Sequence, residues 1–159
     1  MSITEAPRTE AELLAAIVSE SNKDVARQFG LTASNTPHHP SLCTSDWIRA
    51  DYDRGERYFL YQQGKDTVGC VACEQPDEQT FYLNRLSVLP VWRHQGIGEK
   101  LVKHVLERAR AQGVEQVSVG IIAAHTVLKR WYITLGFEEG VTRRFDHLPF
   151  EVTYLRYVL

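Results

Sequence analysis

The stretch from Thr80 to Ile122 constrains the fold more than any other part of the chain. Thr80–Val88 is rich in aromatic and β-branched residues and reads as a strand that Pro90 ends; Gly96–Gln112 then carries apolar residues at helical spacing, and Gln116–Ile122 alternates as a strand again. Leu101, Val102, Val105, Leu106 and Ala109 form the helix stripe, Glu99 and Lys103 make an i,i+4 pair, and Gly113 is the stop. Strand, long helix and strand in that order form a βαβ unit, so the two strands are expected to be parallel and the crossover right-handed. The entry to the helix, Arg93-His94-Gln95-Gly96-Ile97-Gly98, is an Arg-x-x-Gly-x-Gly turn. Helix N-termini leave backbone N–H groups without intrahelical partners and carry the positive end of the dipole. Gly96 and Gly98 permit close approach of a ligand, and Arg93 adds a bidentate-capable donor, so this is a place to bind phosphate. A ligand-free tight turn would carry the same glycines. The spacing fits neither a P-loop nor the Gly-x-Gly-x-x-Gly dinucleotide fingerprint.

Around this unit the remaining elements can be read in order. Thr9 and Glu12 match a capping box before Leu13, Leu14, Ile17 and Val18, which predicts a helix over about 10–21; Val25 and Phe29 extend the stripe through a short second helix closed by Gly30. Residues 31–45 hold two prolines and many small polar groups and read as a loop before a short helix at about 46–53. An irregular segment of this length inside a compact domain is often functional. Tyr58–Gln62, Thr67–Cys73 and Thr80–Val88 form an antiparallel meander joined by QGKD and QPDE turns. A last helix at about 126–135 ends at Gly136, and Phe137–Phe145 and Phe150–Leu159 are two closing strands. The fold class is therefore α/β (α+β): one domain over 1–159, with a central mixed, mainly antiparallel sheet of six to seven strands flanked by helices.

Composition excludes several classes. With 18 Lys and Arg against 20 Asp and Glu, the chain lacks the basic surplus of a nucleic-acid binder. The N-terminus MSITEAPRTE has neither a basic n-region nor an apolar h-region, and no run approaches the ~20 apolar residues of a membrane span. The expectation is a complete cytoplasmic chain without membrane or nucleic-acid partners. Cys70 and Cys73 are spaced like a metal or redox pair, yet within a strand residues three apart point to opposite faces. Together with Cys43 they read as reduced thiols, and no metal is expected.

Leu86 to Gly98 resembles motif A of the GNAT superfamily of acyl-CoA-dependent N-acetyltransferases: a hydrophobic-x-Val-x-Pro strand end, then Gln/Arg-x-x-Gly-x-Gly/Ala and a helix. Trp131-Tyr132-Ile133-Thr134-Leu135-Gly136-Phe137 resembles the family's aromatic-Tyr-x-x-x-Gly-Phe signature. The order of elements agrees over the whole chain, although residues 1–56 match only in layout. The resemblance implies acetyl-CoA as co-substrate, its pyrophosphate on the amides of Arg93, His94, Gln95, Gly96, Ile97 and Gly98. It implies a pantetheine arm lying as an added strand against Leu86, Ser87 and Val88, in a cleft where the parallel strands splay. The Val88 N–H is then placed toward the acetyl carbonyl, Tyr132 is the general acid that protonates the leaving thiolate, and His125, Lys129 and Tyr132 border the cofactor. The implied reaction is direct acetyl transfer to a small-molecule or peptide amine in a ternary complex, with a homodimer as the family expectation. A non-catalytic acyl-CoA sensor or interaction domain of the same fold, or a binder of another phosphorylated ligand at the helix terminus, are the alternatives.

Two positions depart from the family pattern. His125 stands where members often carry Asn against the pantetheine arm. Period-two counting places Tyr82, Asn84 and Leu86 on the Val88 face of the strand, where members often carry a Glu or His base, and Asn84 cannot act as one. Glu74, His125, His38 and His39 remain as candidates for the base, and an amine arriving neutral needs none.

Overall fold

A computed structural model describes residues 2–159. Its strands are β1 (Ser2–Ala6), β2 (Arg57–Gln63), β3 (Asp66–Glu74), β4 (Thr80–Val88), β5 (Gln116–Ile122), β6 (Glu138–Arg144) and β7 (Glu151–Val158); its helices are α1 (Ala11–Ser21), α2 (Lys23–Gln28), α3 (Ser45–Asp53), α4 (Ile97–Ala111) and α5 (Thr126–Thr134). The seven strands form one sheet in the order β1-β2-β3-β4-β5-β7-β6. Only β4 and β5 are parallel, as the βαβ pattern requires.

The alternation of β2 and β3 feeds two cores. Phe59, Tyr61, Val71 and Cys73 join Leu101, Val102 and Val105 of α4 on one face. Tyr58, Leu60, Cys70 and Ala72 join Leu14 and Val18 of α1 and Ile48 of α3 on the other. Each fully buried side chain of this kind contributes about 1.5–3 kcal/mol, so both faces of the sheet are anchored independently of the loops. Cys70 and Cys73 thus lie in opposite cores as free thiols, in agreement with the strand period.

Strand β1 was not legible in the sequence. It pairs antiparallel with β2, from Ser2 opposite Gln62 to Ala6 opposite Tyr58, yet only Ala6 is buried, so no apolar alternation marks it. The capping box expected at Thr9 and Glu12 does not form. Residues Arg8–Glu10 make a 3-10 turn, Glu10 takes the N-cap position of α1, and no side chain caps it.

The largest correction concerns β4. Its register against β3 slips between Cys70–Ser87 and Ala72–Asn84, so Arg85 and Leu86 together face Val71, a β-bulge with Arg85 at φ 57°. A bulge inverts the period. Leu83 faces α4 before it, whereas Leu86 and Val88 face α4 after it. Tyr82 and Asn84 therefore do not share a face with Leu86 and Val88, contrary to the period-two count.

Candidate active site

Strands β4 and β5 pair only from Thr80–Gln116 to Tyr82–Ser118. Beyond that they separate, and the gap opens a cavity of roughly 290 Å³ bordered by Leu83–Leu86 of β4, 119–122 of β5, His125, Leu128 and Tyr132 of α5, and His39 from the long loop. Leu89 N–H donates to Val68 O of β3 at 2.9 Å. Successive strand residues point their N–H groups to opposite edges, so the Val88 N–H is aimed away from β3, toward the edge β5 has left.

The turn at the head of α4 has the geometry of an anion cradle. Gly96 is its N-cap at φ 80°, in the left-handed region, and no side chain caps the helix. Arg93 N–H bonds Pro90 O and Lys100 N–H bonds Gly96 O; among the described residues, no backbone amide of 94–99 between them donates to the chain. Gly98 faces the indole of Trp131, which a Cβ there would meet at 3.3 Å. His94 holds φ 62°, a conformation that costs a residue with a side chain on the order of 1 kcal/mol.

The Arg93 side chain has a different task from the one its position suggests. Nε donates to Val88 O at 3.2 Å, Nη1 to Asp24 Oδ2 at 2.5 Å and Nη2 to Ser21 O at 2.6 Å. The guanidinium thus ties the turn to the α1–α2 junction, and the cradle is left to the main chain. Lys129 is likewise engaged, 3.3 Å from Glu139 on β6, and it does not border the cavity.

Tyr132 lies in the cavity wall, 2% exposed. Its ring is clamped edge-on by Trp131 at 4.9 Å and Phe137 at 5.2 Å, and burial pushes its phenol pKa well above the ordinary value. The hydroxyl is therefore protonated throughout the neutral range. His125 caps α5, its Nδ1 accepting from Leu128 N–H at 3.4 Å, and packs against Phe29.

The other candidate bases are placed elsewhere. Glu74 ends β3 and accepts from the Asn84 amide at 3.3 Å, bordering a separate hollow with Arg54 and Arg57. His38 packs on Trp47, with ring centroids 5.9 Å apart. Behind Asn84 lies a buried charge network that the sequence did not reveal. Asp51 accepts from the Tyr58 hydroxyl, from Arg85 Nε at 3.2 Å and from Arg54 Nη2 at 2.8 Å. Glu56 accepts from Asn84 at 2.6 Å and from Arg54 at 3.2 Å. Burial, reinforced by the charges of Asp51 and Glu74, pushes Glu56 up to about 7 against the pull of Asn84 and Arg54. The only sequence signal for this network was the density of charge over 51–57.

The splayed parallel pair, the uncapped glycine turn of α4 and the buried Tyr132 lie at the same end of the sheet. The sequence model of the Acetyltransferase (GNAT) family matches residues 22–137, and the chain belongs to that family. Among curated relatives, the [Ribosomal protein bS18]-alanine N-acetyltransferase of Escherichia coli K12 is 30% identical over 95 residues, which is 58% of this chain and 63% of that protein. Among solved structures, the ribosomal-protein-S18-alanine N-acetyltransferase of Escherichia coli superposes with a TM-score of 0.78 at 15% identity over 99% of this chain and 92% of that one. A GNAT family acetyltransferase from Elizabethkingia anophelis with acetyl-CoA bound gives 0.63 at 18% identity, over 73% and 84% of the two chains. These likenesses show the fold.

Proposed function

We propose that the protein transfers the acetyl group of acetyl-CoA to an amine by direct attack. The observation that carries this reading is the splay of β4 from β5 beside the uncapped turn of α4, since one site then offers both a strand edge and free amides. The amides of 94–98 would receive the pyrophosphate, and the edge at Leu86–Val88, whose Val88 carbonyl is taken by Arg93 Nε, would pair through its remaining groups with the pantetheine arm. The amine nitrogen bonds the acetyl carbon while the Val88 N–H stabilises the charge growing on the carbonyl oxygen. The C–S bond then breaks, the sulfur takes a proton from the Tyr132 hydroxyl, and the proton lost by the amine passes through water back to the Tyr132 oxygen. A phenol kept protonated by burial suits that task. No general base is assigned: among the described residues the cavity lining contains no carboxylate, and the Nδ1 atoms of its two histidines, His39 and His125, accept from backbone N–H groups.

The test is the thermal midpoint with acetyl-CoA, and separately with adenosine 3′,5′-bisphosphate, followed by thiol release in the presence of amines. At about 100 times Kd, linkage supplies about 2.7 kcal/mol, roughly 5–10 °C for a chain of this size. A larger shift with acetyl-CoA than with the nucleotide, and amine-dependent thiol release, are the expected results. Absence of any shift at saturation would remove the reading.

A further inference from the structure

The sheet ends on a strand with a bare outer edge. Strand β6 is last in the strand order and pairs with β7 on one side only, and all seven of its residues are exposed. Outside that ladder, no backbone group of 138–144 bonds another backbone group among the described residues. Such an edge is a template for a further strand unless proline, like charge or a bulge opposes it. The strand holds no proline, and Glu138-Glu139-Gly140-Val141-Thr142-Arg143-Arg144 carries two acids at one end, two bases at the other and no net charge. Glu138 and Glu139 make ion pairs with Arg156 and Lys129, whereas no carboxylate lies within ion-pair distance of Arg143 or Arg144 among the described residues.

The order of these charges decides what can pair with the edge. A parallel copy in register sets Glu against Glu and Arg against Arg, which is repulsive, whereas an antiparallel copy sets acids against bases. A bulge in β6 fixes which residues meet. Glu139 lies opposite Leu155 and Thr142 opposite Thr153, so Gly140 and Val141 together face Tyr154. With the bulge counted as one position, Glu138 and Arg143 fall on one face of the sheet, and Glu139, Thr142 and Arg144 on the other. A two-fold axis through the bulge sets Glu138 of each copy opposite Arg143 of the second on the first face. On the other face Glu139 meets Thr142, with Arg144 on the diagonal and within reach of a long side chain. The bulge twists the edge, and two copies related by that axis share the same twist. The opposite edge of the sheet has no such property: an antiparallel copy of β1 about Thr4 sets Glu5 against Ile3.

We infer that two copies of this chain pair β6 to β6, antiparallel about the Gly140–Val141 bulge, so that their two sheets run on as one. The contact is one strand wide, well below the ~800 Å² per partner of a standard stable interface, so the dimer is weak, reversible and sensitive to salt. Strand β7 stands between β6 and β5, and the pairing leaves the gap between β4 and β5 open. Dimer formation of this kind requires neither acetyl-CoA nor an amine.

The experiment is sedimentation velocity on the full chain from about 1 to about 300 μM, where a monomer–dimer equilibrium is expected, weakened at least ~5-fold between roughly 0.05 and 0.5 M NaCl. Two double variants, Glu138→Lys with Glu139→Lys and Arg143→Glu with Arg144→Glu, each leave the strand with one sign of charge. Each is expected to be monomeric alone across that range, and the two are expected to associate when mixed in equal amounts, because opposite charges again meet across the edge. Val141→Lys brings like charges together at the axis without touching either glutamate, and it is expected to weaken association at least ~10-fold. Because every residue changed is exposed, all three variants are expected to keep the thermal midpoint of the parent within a few degrees. A parent that stays monomeric at ~300 μM, a dimer that persists in both double variants, or no association on mixing them when each keeps its midpoint overturns the proposal. Should a double variant lose its midpoint, Val141→Lys decides, and unchanged association in that variant overturns the proposal.

Discussion

Arg93 in the turn before α4 and Asp24 in α2, 69 residues apart, form an ion pair with Nη1 2.5 Å from Oδ2. The same guanidinium holds Ser21 O and Val88 O. One side chain thereby fixes the cradle, the end of β4 and the α1–α2 junction relative to one another. The arginine acts as a strut, and the proposed anion site is left to the main chain of the turn.

The first expected outcome separates a strut from a phosphate ligand. If Arg93 bound phosphate, Asp24→Asn would free its charge and tighten acetyl-CoA binding. As a strut, Asp24→Asn and Arg93→Ala both weaken binding, by about 3–10-fold in calorimetric titration, because both release the turn. Both groups are partly exposed, so the pair itself is worth no more than ~1 kcal/mol of stability in a double-mutant cycle. Burial raises the Asp24 pKa, but the hydrogen bond and charge of Arg93 more than offset this and leave it below its ordinary value. Its contribution is thus present at neutral pH and is lost as pH falls through the acid range.

Tyr132→Phe removes one oxygen and keeps the ring between Trp131 and Phe137. The fold and the acetyl-CoA midpoint shift are expected to be retained, and turnover to drop by ~10²-fold or more. Because the phenol lies well above its ordinary pKa, no alkaline limb from Tyr132 should appear in the kcat profile below about pH 10. Steady-state thiol release over pH 6–9 checks both points, and unchanged turnover in the variant would remove Tyr132 from the reaction.

The elements that carry periodic apolar faces were legible. The βαβ unit, the meander and the parallel pair follow from residue spacing, and β4 and β5 have the boundaries expected of them; the closing hairpin was read from its turn at His147-Leu148-Pro149, since β6 is exposed along its whole length. What escaped lacked a periodic signature. Strand β1 buries only Ala6. The bulge at Arg85 depends on one left-handed backbone angle at a residue type that gives no hint of it, and it reverses the faces of everything that follows in β4. The sequence placed Arg93 at the cradle, but not its engagement with Asp24, because that contact depends on how α2 packs. Glu56 and Asp51 are charged residues near a turn, which ordinarily means exposure; only tertiary contact with Tyr58, Asn84 and Arg85 buries them.

Glu56 gives a pH signature of stability. Its folded pKa of about 7 stands above the model-compound value of 4.5, chiefly through burial, with Asp51 and Glu74 adding to it and Asn84 and Arg54 opposing. Between those two values the native state binds more protons than the unfolded chain, so the contribution is full below 4.5 and is lost as pH rises through 7. Glu56→Gln does not titrate. Whatever constant offset the substitution brings, the midpoint of the variant minus that of the parent is expected to grow in the variant's favour from pH 4.5 to 7.5. The change is on the order of 2 kcal/mol, several degrees for a chain of this length. A difference that stays flat across this window would mean that Glu56 titrates normally in the folded protein.

Gly96 and Gly98 are both required by the turn, for different reasons that substitution can separate. At Gly96 a Cβ would meet nothing within 4 Å, so space is not limiting, but φ of 80° disfavours any side chain. Gly96→Ala is expected to cost about 1–2 kcal/mol and to weaken acetyl-CoA binding as the amides of 94–99 turn away. Gly96→Asn, which tolerates the left-handed region, should recover part of both losses. At Gly98 the backbone is unstrained and the limit is the Trp131 indole, whose Cζ2 and Cη2 a Cβ would meet at 3.3 and 3.4 Å. Alanine gains at most about 1 kcal/mol of helix propensity in this first turn and must displace the ring by a few tenths of an ångström, so stability should stay within ~1 kcal/mol of the parent. The displaced indole is the edge-on neighbour of Tyr132. The cost of Gly98→Ala should therefore appear in kcat, by about 3–10-fold, with little change in the midpoint, whereas Gly96→Ala should lower the midpoint by several degrees. Thermal melts and thiol-release kinetics on the three variants distinguish the two requirements, and equal midpoint losses at both positions would show that the turn needs conformational freedom at each.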